Sequence, residues 1–272
     1  MSLMQSTTVR RQGPSMPALL SRSFVSLAAQ RVVLVVLLLG VWWIAARRMP
    51  VFVMPGPERV AQALVKLLHS PSFFRDLGAT LYRVLAGFAL AAVVGAPLGV
   101  ALGASPRAAR FFEPLLAIVN TVSSAIWAVF AIIWFGISNA TTIFVVFMTA
   151  MPLILTNVWQ GALTVDAQHV ELARSLRFSP AQIMRKIYLP TILPHFFAGA
   201  RLAFGFGWRV SLVAETIGSS DGIGYRLRQA ADLVQTDQVF AWTVTLVVLM
   251  LLLEAGVLKP IERRLFRWKR TA

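Results

Sequence analysis

Few residues in this sequence could carry out covalent chemistry, and they are scattered. Gly218-Ser219-Ser220-Asp221-Gly222 has the G-x-S-x-G form of a hydrolase nucleophile turn. That turn requires a strand before it and a helix after it, and here a long apolar segment of membrane-helix type precedes it. His69, His169 and His195 lie far apart and share no metal-ligand spacing. There are no cysteines, which excludes disulfides, thiolate metal sites and cysteine nucleophiles. No G-x-x-x-x-G-K-[ST] phosphate loop occurs, so the sequence offers no such ATP site. A membrane-embedded enzyme would need histidines or acids clustered within its apolar segments, and these segments lack them.

Two polar features stand out instead. Arg209 lies well inside an apolar segment, where a charge is costly and faces a cavity or a partner. One reading makes it a pathway group that attracts an anionic solute. The other makes it a structural charge, snorkelling or paired, with Glu215 as one possible partner; Glu215 is also a pathway candidate. Trp127, Phe130, Trp134 and Phe135 could line a passage, although aromatics in membrane helices more often pack or face lipid. The second feature is a polar stretch, Asp166–Lys186, carrying Arg174, Arg177, Arg185 and Lys186. It is too charged to cross a bilayer. Helices are expected over about 167–176 and 180–187, with Ser179 as N-cap and Pro180 as the first helical residue of the second. A helical hairpin held off the membrane suits docking into a groove on a partner.

These features are positioned by apolar segments. Of the 272 residues, 57% are hydrophobic and only 14% charged, against about a quarter charged in soluble domains. Such a chain needs the bilayer as solvent. The net charge of +15 sits at the chain ends and in short loops, which fits the positive-inside rule rather than nucleic-acid binding. Spans are expected near 32–46, 79–104, 115–135, 141–163, 187–214 and 239–258. Between Glu113 and Asp166 no charged residue occurs, which at about 20 residues per crossing accommodates two helices. Their break falls at Gly136-Ile137-Ser138-Asn139. Gly95, Gly99 and Gly103 recur every four residues and would let another helix approach closely. Glu58–His69 reads as an amphipathic helix at the outer face, and Arg83 as a boundary anchor.

The expected organisation is a basic cytoplasmic tail over 1–31, a six-span domain over 32–258 that includes the hairpin 166–187, and a basic cytoplasmic tail over 259–272. Six crossings put both tails, the Arg107/Arg110 loop and the polar stretch on one side. A cleaved signal peptide fits less well. Its basic region would be long, and Ala45-Ala46-Arg47-Arg48 is a poor cleavage site.

Within the hairpin, Glu171, Ala173, Ile187, Leu189 and Pro190 stand at the spacing of the EAA loop of bacterial ABC importer membrane subunits. Further segments match as well: Leu81–Phe88, Pro97-Leu98-Gly99, Ile133-Trp134-Phe135-Gly136, Ala214-Glu215 and Gly222-Ile223-Gly224-Tyr225. Over roughly residues 30 to 270 the chain resembles permeases of the nitrate, taurine and alkanesulfonate transport family. The resemblance implies an all-α, six-span type I importer fold in a bacterial plasma membrane and a membrane dimer, with a homodimer expected. It also implies two ATPase subunits that bind ATP and magnesium, and an extracytoplasmic solute-binding protein. Glu171, Ala173, Arg177 and the Ile187–Pro190 stretch would then couple the ATPases to the spans. The chain departs from the pattern at Leu172, where alanine is usual, and at Arg177, where glycine turns the chain. Val122-Ser123-Ser124-Ala125 replaces paired prolines in a region that in the family lies near the transport pathway, which makes Ser123 and Ser124 pathway candidates. An ATP-independent channel or secondary transporter is the rival reading; inverted repeats would favour the latter, and none is evident.

Overall fold

A computed structural model describes residues 27–260. The expected tails at 1–31 and 259–272 therefore fall almost wholly outside the described residues. Within them every regular element is helical. Helix α1 (Leu27–Arg48) leads to the short amphipathic α2 (Pro57–Leu68) and then α3 (Pro71–Ala104). The loop expected over Ser105–Arg110 is much shorter, because Ser105 caps α4 (Pro106–Thr121), its hydroxyl accepting from the Ala108 amide at 3.3 Å. Arg107 and Arg110 thus stand on the first turns of a helix. Helices α5 (Ser124–Phe135) and α6 (Asn139–Leu163) follow.

The third expected span is corrected. Residues 115–135 do not form one straight helix, because α4 and α5 meet at an angle of 92°. Val122 and Ser123 are both extended there, and the Ser123 hydroxyl starts the new helix by accepting from the Ala125 amide at 3.4 Å. The next break lies where expected, at Gly136, whose φ of 65° suits a residue without Cβ. Among the described residues, four helices are long and apolar enough to cross a bilayer, over 29–48, 71–104, 139–163 and 236–256; the bent α4–α5 pair would make a fifth.

The polar stretch forms α7 (Ala167–Ser175) and α8 (Pro180–Ile183). A π-helical turn, Met184–Tyr188, carries α8 directly into α9 (Leu189–Gly218). Helix α9 carries Arg201 and Arg209 and lies outside the apolar set, yet its 30 residues give it a length of about 45 Å. After it come α10 (Ile223–Asp232) and α11 (Thr236–Leu253), which ends in a second π-helical turn. The six expected spans correspond to α1, α3, the α4–α5 pair, α6, α9 and α11.

Helix α6 is the axis of the bundle. Val145, Val146, Ala150, Ile154 and Val158 on it are wholly buried, packed between α3 and α9. The glycine spacing on α3 works as expected. A Cβ at Gly99 would lie 2.6 Å from the Leu155 carbonyl oxygen of α6, and one at Gly95 2.9 Å from that of Met151. The helices touch backbone to backbone, the close contact that dispersion requires where lipid removes the hydrophobic drive between helices. By contrast α1 stands apart, with none of its apolar window buried. It is held to α2 by the Trp43 indole donating to Glu58 at 2.8 Å and stacks Trp42 on Phe240 of α11.

Candidate functional site

Three polar constructions are built on this frame: the hairpin at one end, a cavity at the α4–α5 bend, and an ion network at the far end.

The hairpin starts at Asp166, whose carboxylate accepts the Gln168 amide at 2.8 Å and caps α7. The helix ends in a Schellman turn. The Phe178 amide donates to the Ala173 carbonyl and the Arg177 amide to that of Arg174, both at 2.9 Å. The position between them must be left-handed, and Arg177 occupies it with φ 59°. So the arginine keeps the turn that glycine makes in the family pattern, at the steric cost of a side chain in that region. Ser179 then caps α8, as the Ser-Pro sequence predicted, and forms a complete capping box with Gln182. Val170, Ala173 and Ile183 close a small core with Phe178 and Ile187.

This geometry divides the expected coupling residues into two groups. Ala173 and Ile187 lie inside the hairpin and hold it together. Glu171, Arg177, Leu189 and Pro190 are exposed. Sequence reasoning noted Leu172 only as a departure and passed over Leu176. These leucines are 59% and 63% exposed, apolar surface on a segment too charged for lipid. Their signal was available, because leucine at i and i+4 of a short helix marks one face.

At the bend, Asn120, Ser124, Trp127, Thr149 and Phe206 line a cavity of about 200 Å³. No charged side chain lines it. Thr149 spends its hydroxyl on the Val145 carbonyl at 2.9 Å. Trp127 meets Phe130 and Phe144 edge-on at 6.1 Å, and Phe130 stacks on Trp134 at 5.7 Å. Of the expected pathway residues, Ser124 and Trp127 reach the cavity. Ser123 caps α5 beside it, and Phe130 lies on the exposed face of α5. Arg209 is exposed on the face of α9 that also carries Leu202, Phe206, Val213 and Ile217. Its guanidinium lies 5.9 Å from the Phe206 ring.

Glu215 does not pair with Arg209. Six residues along a helix turn through about 600°, leaving the two side chains on different faces. Glu215 is fully buried and receives Arg83 at 3.0 Å, the Thr80 hydroxyl at 2.9 Å and the Gly224 amide at 2.9 Å. Arg83 is 2% exposed, so the boundary-anchor reading is also corrected. It donates to Asn139 at 2.7 Å, to the Asp221 carbonyl at 2.9 Å and to the Asp221 carboxylate. Asp76, likewise buried, accepts from Arg226 at 2.6 Å and from the Gly222 amide at 3.3 Å. Gly222 has φ 101°, and a Cβ there would lie 2.8 Å from the Glu215 carboxyl carbon. The G-x-S-x-G stretch is therefore a tight loop folded over an ion pair, with Asp221 and Gly222 as its clasp. Leu81–Phe88, Ala214-Glu215 and Gly222–Tyr225, three segments that matched the family pattern separately, meet in this network.

A family profile described as binding-protein-dependent transport system inner membrane component matches residues 91–265. The chain belongs to this family. Among relatives, this permease is 33% identical to the aliphatic sulfonates transport permease SsuC of Bacillus subtilis, over 80% of its own length and 78% of the relative's. It is 29% identical to the taurine transport permease TauC of Escherichia coli, over 85% and 86% of the two chains. Among solved structures, an inward-facing MetNI methionine ABC transporter chain superposes with a TM-score of 0.64 at 22% identity, covering 72% of this permease and 97% of that chain. The shared fold agrees with the all-α type I importer expectation. The permease is a multi-pass inner-membrane subunit of an ABC importer, a system that includes ATPase and binding-protein partners. ATP is hydrolysed on the separate ATPase subunit.

Proposed function

We propose that this permease carries a small organic or inorganic anion of the sulfonate, taurine or nitrate class, delivered by an extracytoplasmic binding protein. The observation that carries the reading is Arg209, an exposed cation within a long bundle helix, beside a cavity lined by uncharged polar groups and aromatics. An arginine in lipid is expensive and faces water or a partner. A homodimer would turn the α9 faces of two copies toward one pathway and supply two such cations. Relatives named for sulfonates and taurine support the same solute class.

The hairpin is the coupling element, with both termini and the hairpin on the cytoplasmic side. Glu171, Arg177, Leu172 and Leu176 meet a groove of the ATPase, while Ala173, Ile187, Leu189 and Pro190 tie that contact to α9. Binding of ATP and magnesium by two ATPase subunits draws the hairpins together and opens the outer side; hydrolysis resets the pair. The test is uptake by the reconstituted importer. Arg209→Gln is expected to lower anion uptake at least tenfold while leaving ATPase co-purification intact. Undiminished anion uptake by that variant overturns the pathway role. Uptake that persists without any ATPase overturns the importer mechanism.

A further inference from the structure

A separate site lies at the far end, away from both the bend cavity and α9. Helices α2, α10 and α11 enclose a polar cavity of about 340 Å³, within the range of ligand pockets, about 300–1,000 Å³. Its charged lining is Lys66, Arg226 and Asp237, with Ser70 and Ser72 beside them. Arg226 uses Nε on Asp76 and Nη1 on Gln229, which leaves Nη2 as a donor. Neither Lys66 nor Asp237 has an ion-pair partner among the described residues. The cavity thus presents unspent positive and negative groups together. That pattern complements a zwitterion bearing a phosphate and an ammonium.

Trp242 lines this cavity, and Phe73 stacks on it at 5.5 Å. Phe73 in turn lines a second space, a groove of about 260 Å³ between α2, α3 and α11. The groove follows Phe73 to Leu77 on α3 and Val244 to Leu252 on α11, away from the polar cavity and along the outer face of the bundle, where Leu68, Val248 and Leu252 are exposed. All its lining residues are apolar except Thr245, whose hydroxyl is used on the Ala241 carbonyl at 2.9 Å. The two spaces share no lining residue and are parted by the stacked, buried Phe73 and Trp242, but a polar cavity followed by an apolar groove along one membrane helix has the order of headgroup and chain in an amphiphile.

We infer that this permease holds one amine-bearing glycerophospholipid here. Its phosphate lies on Lys66 and Arg226, its ammonium on Asp237, and one acyl chain in the groove over Leu64, Leu77 and Val248. The lipid braces α2 against α11, joining the peripheral elements to the bundle through a molecule of the membrane itself.

The test is native mass spectrometry of the importer extracted in mild detergent and supplied with phosphatidylethanolamine. One lipid per permease chain is expected to survive on the unaltered protein. Lys66→Gln, Asp237→Asn and the groove-filling Val248→Trp should each weaken retention at least tenfold. Soluble phosphoethanolamine should compete poorly. Equal retention by all three variants means only a nonspecific lipid shell and overturns the site. Phosphoethanolamine competing as well as the lipid overturns the role of the groove. Phosphatidylglycerol held as tightly as phosphatidylethanolamine overturns the ammonium contact to Asp237.

Discussion

The two ends of the bundle distribute polarity in opposite ways. At the hairpin, Leu172 and Leu176 are 59% and 63% exposed, and the charges of Glu171 and Arg177 stand outside with them. At the far end, Asp76, Arg83 and Glu215 are at most 2% exposed, folded beneath a loop. Apolar groups left in the open mark a surface that another protein covers. Charges drawn inside mark a part that must hold one arrangement, because a broken buried pair leaves an uncompensated ion. On the coupling role proposed for the hairpin, one end meets a partner while the other stays fixed.

Substitutions should separate the two. Arg83→Ala or Glu215→Ala strands a buried charge and is expected to cost about 3–5 kcal/mol, read as a lowered melting temperature of the detergent-solubilised protein. The paired replacement Arg83→Met with Glu215→Leu should cost less than either single change. A double as damaging as the sum of the singles would mean that the network is not a unit. Next in size, Gly99→Ala places a Cβ 2.6 Å from the Leu155 carbonyl oxygen, and the resulting overpacking is expected to cost about 1–3 kcal/mol. At the hairpin, Leu176→Asp or Arg177→Glu should leave the stability within about 0.5 kcal/mol of the unaltered protein, read as a nearly unchanged melting temperature, while ATPase co-purification falls. A hairpin variant that melts early but still retains its ATPase would erase the contrast.

A stabilising effect concerns a construction that the two ends share. Helix α10 also closes in a Schellman turn, with the Gln235 amide on the Ala230 carbonyl at 2.8 Å. Its left-handed position is Val234, φ 57°, a β-branched residue that avoids this region more strongly than arginine. Val234→Gly should therefore stabilise the fold by about 1 kcal/mol, and Arg177→Gly by less, both measured by thermal melting.

Much of this was legible in the sequence because it depends on local rules. The hairpin boundaries followed from Ser179-Pro180 and from charge density. The tight α3–α6 contact followed from a glycine repeat, and the break before α6 from Gly136. The bend between α4 and α5 was not legible. Val122-Ser123 carries no proline or glycine, and an uncharged run conceals a right-angled turn. Sequence proximity offers Glu215 only as one possible partner of Arg209, whereas its partner Arg83 comes from a helix more than a hundred positions away. Long-range ion pairs leave no periodic trace. They become visible only when separated conserved-looking fragments are found to share one place, as Leu81–Phe88 and Ala214-Glu215 do here.

The unbroken path from α8 through the π-helical turn into α9 has a mechanical consequence. From Pro180 to Gly218 the helical run is unbroken and about 55–60 Å long, with the π-helical turn Met184–Tyr188 and Pro194 as the places where it can bend. Such a lever has little slack: a tilt of about 5° at its foot swings its tip by about 5 Å over that length. The tip carries Glu215, clamped to Arg83 and through it to Asn139. On the coupling role proposed for the hairpin, whatever part of a push is not taken up at the π-helical turn or at Pro194 reaches α3 and α6 through this clamp.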